Sequence, residues 1–209
     1  MAIRFAFFIN KETVEQFFEF TSSKDSFFSE HYNLAPGYQL PVMRQDNDER
    51  ILTKIQLGPG KNSSSPAKLT AVDASKMIQS KDAVEPVILP LSGFYIWKGK
   101  DENGQPFFVR MLNSPIMPVA ALLNLQKEPF VQVITVPANT LIQPMSDRMP
   151  LFLDKKTSEN WLTAPSDPTS FFKESQTLFR ITDLSVLKVS KKVNDLTEND
   201  PSLIQPEPK

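Results

Sequence analysis

Apolar residues come along this chain in short runs cut by turn formers, a pattern that predicts many brief strands and few helices. Arg4 to Ile9 is the first run and reads as a strand. Asn10 follows in an N-cap position, and Val14, Phe17 and Phe18 fall at i, i+3 and i+4. That spacing predicts a helix from Lys11 to about Thr21 with one apolar face. Tyr32 to Pro36 reads as a loop and Gln39 to Met43 as a strand. Asp46-Asn47-Asp48 marks a hairpin turn, with Arg50 to Gln56 as the return strand. Gly58 to Pro66 is rich in Gly, Ser and Pro and reads as a mobile loop. Ala71 to Ser80 reads as a short helix with Asp73 as its candidate cap.

Strands then dominate. Val87 to Leu89, Phe94 to Trp97, Phe107 to Leu112, Val119 to Leu123 and Val131 to Val136 are apolar and separated by turn residues. Their even spacing predicts an antiparallel, barrel-like sheet. Thr157 to Leu162 and Ser170 to Ser175 read as short helices, and Leu178 to Ile181 and Val186 to Val189 as late strands. After Leu196 the chain is polar and Pro-rich, which predicts a poorly ordered tail from about residue 197. No repeat or linker divides the sequence, so residues 1–209 read as one α+β domain with a barrel-like β core and a few short flanking helices.

Composition sharpens this picture. Eighteen Pro against six Gly explain why elements stay short, and sixteen Phe supply a sizeable core. The net charge of −1 argues against strong non-specific nucleic-acid binding, though it leaves room for a local basic groove. The chain has no Cys, which excludes disulfides, thiolate nucleophiles and Cys-ligated metals. Phe5 to Ile9 lacks the flanks of a signal peptide, and no run approaches the roughly 18 apolar residues of a membrane span. The expected location is therefore cytoplasmic, without membrane contact.

Candidate chemistry is sparse. His31 is the single histidine and has no nucleophile motif near it. Asp46 and Asp48 are too few oxygen ligands for a calcium loop, and Asp195, Glu198 and Asp200 read as solvated. Gly58-Pro59-Gly60-Lys61 lacks the spacing of a phosphate loop, and Pro59 removes a backbone donor. No metal or cofactor is expected. One cluster stands out: Thr135 to Asn139 ends a strand, and Asp147-Arg148 follows in a polar loop. An Arg there can meet a phosphate or a carboxylate, or pair within the protein.

Six segments taken in order carry a family resemblance. Met1-Ala2-Ile3-Arg4-Phe5 is similar to Met-Cys-Gly-Arg-Phe, and Tyr32 to Pro36 matches Tyr-Asn-x-Ala-Pro. Pro90 to Trp97 resembles Pro-Ala-Asp-Gly-Phe-Tyr-Glu-Trp, and Thr135 to Asn139 matches Thr-x-x-Ala-Asn. Met145 to Pro150 resembles Ile-His-Asp-Arg-Met-Pro. Val189 to Asn194 and Pro201 to Ile204 resemble the closing Val-Ser-x-x-Val-Asn and Pro-Glu-Leu-Ile. Together they resemble the SOS response-associated peptidase (SRAP) family, the abasic-site processing proteins. The resemblance implies the α+β, barrel-like SRAP fold. It also implies a thiazolidine formed between an N-terminal Cys, exposed by Met removal, and an abasic-site aldehyde in single-stranded DNA. An Asn, a Glu and a His assist, and arginines hold phosphates.

The pattern departs where that chemistry sits. The Cys position is Ala2, the Glu position Ile96 and the His position Ser146. The family's Asn-Ala-Arg motif is missing, its nearest frame being Thr70-Ala71-Val72. Retained positions include Arg4, Asn139 and Arg148, which the resemblance marks as DNA-binding, with Arg110 and Lys98 as weaker candidates. Whether an enzyme survives is left open. Three readings follow: a non-catalytic SRAP domain that binds single-stranded or abasic DNA weakly; an interaction or regulatory protein that has dropped DNA, its protein partner unknown; and a residual peptidase or lyase using the Ala2 amine or Ser146.

Overall fold

The computed structural model describes residues 3–20, 25–59, 72–73, 84–99, 103–125, 128–163, 168–175 and 181–207. Strand β1 (Arg4–Phe7) leads into helix α1 (Lys11–Phe17), and the Asn10 side chain caps that helix by accepting from the Thr13 N–H. The helix ends before Thr21 because Phe18 turns to extended backbone, where it is buried. The other strands are β2 (His31–Leu34), β3 (Gln39–Asp46), β4 (Glu49–Leu57), β5 (Val72–Asp73) and β6 (Val84–Leu91). They continue with β7 (Gly93–Lys98), β8 (Gln105–Met111), β9 (Met117–Asn124), β10 (Phe130–Pro137), β11 (Arg148–Pro150) and β12 (Leu184–Lys188). Helices α2 (Lys155–Leu162) and α3 (Pro168–Ser175) stand between β11 and β12.

Two sheets result. Strands β10, β4, β3, β6 and β9 pair in that order, and β9 pairs back onto β10. The ring is closed, which removes the unpaired edges a flat sheet would show. This is the barrel-like core that the strand spacing predicts. The second sheet runs β12-β8-β7-β1-β2 and is open. Gly93 lets β7 approach β8 closely: a Cβ there would stand 2.5 Å from the Phe108 ring and from the Val109 oxygen. Helix α2 is fixed to the barrel by Trp161, whose indole N–H donates to the Val87 carbonyl at 2.9 Å, and Phe171 of α3 stacks on that indole. Among the described residues, no helix is long and apolar enough to cross a membrane.

Strand alternation sorts the open sheet's side chains onto two cores. Phe5, Phe7, Phe94 and Ile96 face the barrel and join the main core. Ala6, Tyr95, Trp97 and Phe108 face the other way, where Val189, Val193 and Leu203 cover them. Residues 189–204 therefore form a second layer.

Several expectations are corrected. Tyr32 to Leu34 is not loop but part of β2, paired with β1. Val72 and Asp73 are a strand beside β10, so Asp73 is not a helix cap; the rest of the expected helix lies outside the described residues. Of the expected mobile loop, only Gly58 and Pro59 are described. Ile181 opens a 3-10 turn, Ile181–Asp183, instead of ending a strand, and residues 178–180 lie outside the described set. The polar tail is docked: Asn199 Oδ1 accepts from the Tyr32 N–H at 2.7 Å, and Leu203 is buried. Asp195 and Asp200 are working turn residues; hydrogen bonds from Thr197 and from Ser202 hold their carboxyls below the usual range. Asn, Asp, Ser and Pro are also the residues that cap and turn, so a polar composition did not mean an undocked segment.

Candidate functional site

The strand-end loop between β10 and β11 is built by its own polar residues. Asn139 Oδ1 accepts from the N–H groups of Leu141 and Ile142, at 3.1 and 3.0 Å. That capping closes a helical turn, which the fully buried Ile142 anchors to the core. The Ser146 hydroxyl donates to the Arg148 carbonyl at 2.8 Å and accepts from the Arg148 N–H at 3.3 Å. Both its capacities are thus engaged in shaping the turn. Beyond it the half-buried Arg148 is aimed back along β10: Nε donates to Thr135 Oγ1 at 2.9 Å, and Nη2 to the Thr135 carbonyl at 2.5 Å. On the other side of β10, Val72 and Asp73 pair with Ile134 and Thr135, so Val72, the last residue of the Thr70-Ala71-Val72 frame, lies beside the same strand. Thr70 and Ala71 themselves are not among the described residues.

Arg4 is elsewhere. Its side chain shares the outer face of the open sheet with Ala6 and Trp97 and is 2% exposed. The guanidinium lies 5.5 Å over the Trp97 ring and donates to Asn33 Oδ1, to the Val193 carbonyl and to the Asn194 carbonyl. Asn33 completes the knot by donating to the carbonyls of Val193, Asp195 and Glu198, while Trp97 donates to Asn194 Oδ1 at 2.9 Å. Arg4 therefore ties β1 to the C-terminal segment, on the face turned away from the barrel that carries Arg148. The two arginines do not share a surface, and a phosphate has no route to a guanidinium this enclosed.

The remaining positions separate as well. Ile96 is fully buried in the main core, with Ile3 in the same cluster. Ala2 lies outside the described residues. His31 is kept neutral near pH 7: burial lowers its pKa first, and Lys54 lowers it further. Its Nε2 sits 3.5 Å from Ser29 Oγ, which is not a catalytic pairing. Tyr32 donates its hydroxyl to Glu30 and is pushed up to about 12, mainly by burial. Burial also raises Tyr95, which donates to the Tyr32 carbonyl, so both phenols act as protonated donors. Among the described residues, no cluster of His, Asp and Glu is arranged to hold a metal. Sequence reasoning missed the knot of Asn33, Trp97 and Asn194, whose members stand in separate motifs up to about 160 residues apart, whereas the bond from Arg148 to the Thr135 carbonyl is the pairing within the protein that the sequence offered as an alternative.

Comparisons with known proteins agree on the framework. The family model described as SOS response associated peptidase (SRAP) matches residues 1–196. The chain is similar to Abasic site processing protein YoqW of Bacillus subtilis (strain 168), 23% identical over 190 residues covering 83% of this chain and 85% of the relative. It is also similar to Abasic site processing protein YoaM of the same strain, 22% identical over 215 residues covering 95% and 92%. A phage-related protein from Bordetella bronchiseptica superposes with a TM-score of 0.68 at 16% identity, covering 89% of this chain and 93% of that one. A protein from Bacteroides thetaiotaomicron gives a TM-score of 0.65 at 16% identity, covering 82% of each. Both likenesses show a shared fold.

Proposed function

This chain belongs to the SOS response associated peptidase (SRAP) family, and on that premise we propose that it binds single-stranded or abasic DNA weakly, in the cytoplasm, without forming a covalent bond to it. The relatives named abasic site processing proteins supply the link to damaged DNA. The observation that carries the reading is Arg148, oriented by Thr135 at the mouth of the β10–β11 loop. A guanidinium with a set direction suits an anionic oxygen better than a freely rotating one. Around it the family's reactive groups are absent. No thiol exists anywhere in the chain, Ile96 offers no proton, and the Ser146 hydroxyl is engaged with the Arg148 backbone. An aldehyde meeting this surface finds a phosphate-holding group without the acid, base and sulfur of a thiazolidine reaction.

Fluorescence anisotropy with a labelled oligothymidylate at several salt concentrations tests this. The slope of log K against log salt is expected on the order of −2, since single strands give about −0.7 per phosphate contact. Arg148→Ala should make it shallower by about 0.7 and weaken binding roughly three- to tenfold at low salt, with a thermal melt lowered by only several degrees as the buried Thr135 oxygens lose a donor. An unaltered slope in that variant moves the DNA site away from the loop. The competing reading, an interaction protein that has dropped DNA, is favoured by one fact: Arg4 is turned inward. Complete loss of oligonucleotide binding even at low salt would select it.

A further inference from the structure

A second site lies at the other end of β1. Phe8, just past that strand, lines an open cleft of about 370 Å³ together with Ser92 at the β6–β7 corner, Arg110 near the end of β8, and Leu112 and Pro115 in the loop beyond. Phe8 is five residues from Ile3, about 16 Å along extended chain, so this cleft is separate from the N-terminal end of the strand.

We propose that this cleft binds an extended peptide segment that presents a carboxylate next to an apolar side chain. Two of its polar groups, Ser92 and Arg110, can donate; Asn113 also lines it, and the Ser114 hydroxyl is engaged with the Ile116 backbone. Ser92 is 4% exposed, and its Oγ accepts from the Phe8 N–H at 2.9 Å. Among the described residues the Ser92 hydroxyl proton has no acceptor, and the exposed Arg110 guanidinium has no carboxylate or carbonyl partner. A buried hydroxyl with an unused proton, beside a cation, is complementary to an anion with two oxygens. The apolar walls select hydrocarbon beside that anion. Leu112 is 56% exposed, and its backbone is held in place by the N–H bond to the Asp183 carbonyl at 2.9 Å. The loop beyond it is fastened by Ser114, whose hydroxyl donates to the Ile116 carbonyl at 2.7 Å. The Phe8 ring is stacked on Tyr32, with centroids 5.3 Å apart. A cleft whose walls are already fixed avoids much of the ordering penalty of binding.

The probe is an acetylated glutamate-leucine-phenylalanine tripeptide amide, titrated into the ¹⁵N-labelled full chain. Its amide resonances at Phe8, Leu112 and Asn113 should shift, with saturation in the millimolar range or tighter. Arg110→Gln should weaken the binding tenfold or more, and so should a probe with glutamine in place of glutamate. Leu112→Ser should weaken it several-fold while the melt stays unchanged. The proposal is overturned if these amides do not move, or if the glutamine probe binds as tightly as the glutamate probe. It is also overturned if an oligothymidylate moves the same amides and loses that effect in Arg110→Gln, because the cleft would then be part of a DNA surface. The Arg148 salt-slope experiment reads a different residue and strand, so the two readings fail independently.

Discussion

Arg4→Ala is expected to destabilise the protein by about 3–5 kcal/mol, from buried acceptors that lose their donor at about 1–3 kcal/mol each and from the void left beside them. The argument starts from what the guanidinium holds. It donates to the carbonyls of Val193 and Asn194 and to Asn33, and it covers the Trp97 ring. Removing it leaves buried acceptors without a donor and opens a void beside an indole. The loss spreads, because the same knot fixes the segment that buries Val189, Val193 and Leu203, all at 1% exposure or less. Burial of three such side chains is worth roughly 5–9 kcal/mol, comparable with the whole stability of a domain this size. Urea denaturation followed by tryptophan fluorescence is the check, since Trp97 lies directly under the charge. The midpoint should fall sharply, while the folded fraction keeps its affinity for single-stranded DNA. Normal stability with lost affinity would return Arg4 to the phosphate-binding role that the family resemblance implies.

Ile96→Glu should be nearly as damaging, by several kcal/mol at neutral pH, although it introduces the residue that the family resemblance implies for this position. Ile96 has no exposed surface and sits in the main core. A carboxylate there loses its hydration without gaining a described partner, so its pKa must rise above the ordinary value near 4.3. The sign follows directly. The folded variant holds its proton to a higher pH than the unfolded chain, so its stability falls as pH rises above about 4. Thermal melts at pH 5 and pH 8, with the unsubstituted protein as reference, should show the larger deficit at pH 8. An unchanged melt at both values would mean that the core opens there to a solvated pocket. The packing around Ile96 therefore disfavours a carboxylate at this position.

The main features of the fold were legible because they rest on local rules. The Asn10 cap, the buried Val14 of the first helix and the Asp46–Asp48 hairpin appear in the structure where the pattern placed them, though Phe18 lies just past the helix end. The errors have a common origin in long-range hydrogen bonds. Tyr32 to Leu34 reads as loop from the sequence, yet the segment is a strand whose Asn33 amide is buried against carbonyls about 160 residues away. The C-terminal segment looked unstructured because its composition is polar. Of the candidate site, the β10–β11 loop was legible as a strand-end cluster. The separation of Arg4 from Arg148 was not, because which face of a strand an arginine occupies depends on what covers that face. Here the cover comes from the far end of the chain.

The central claim, binding without covalent capture, is tested most directly by one incubation read two ways. The protein is mixed at low salt with single-stranded DNA carrying one abasic site, and the sample is divided between native and denaturing electrophoresis, each with and without borohydride. The account predicts a shifted band on the native gel and, without reductant, no heat-stable adduct on the denaturing gel, since the chain holds no thiol. A heat-stable adduct formed without borohydride would contradict it and show that another nucleophile of this chain still captures the aldehyde.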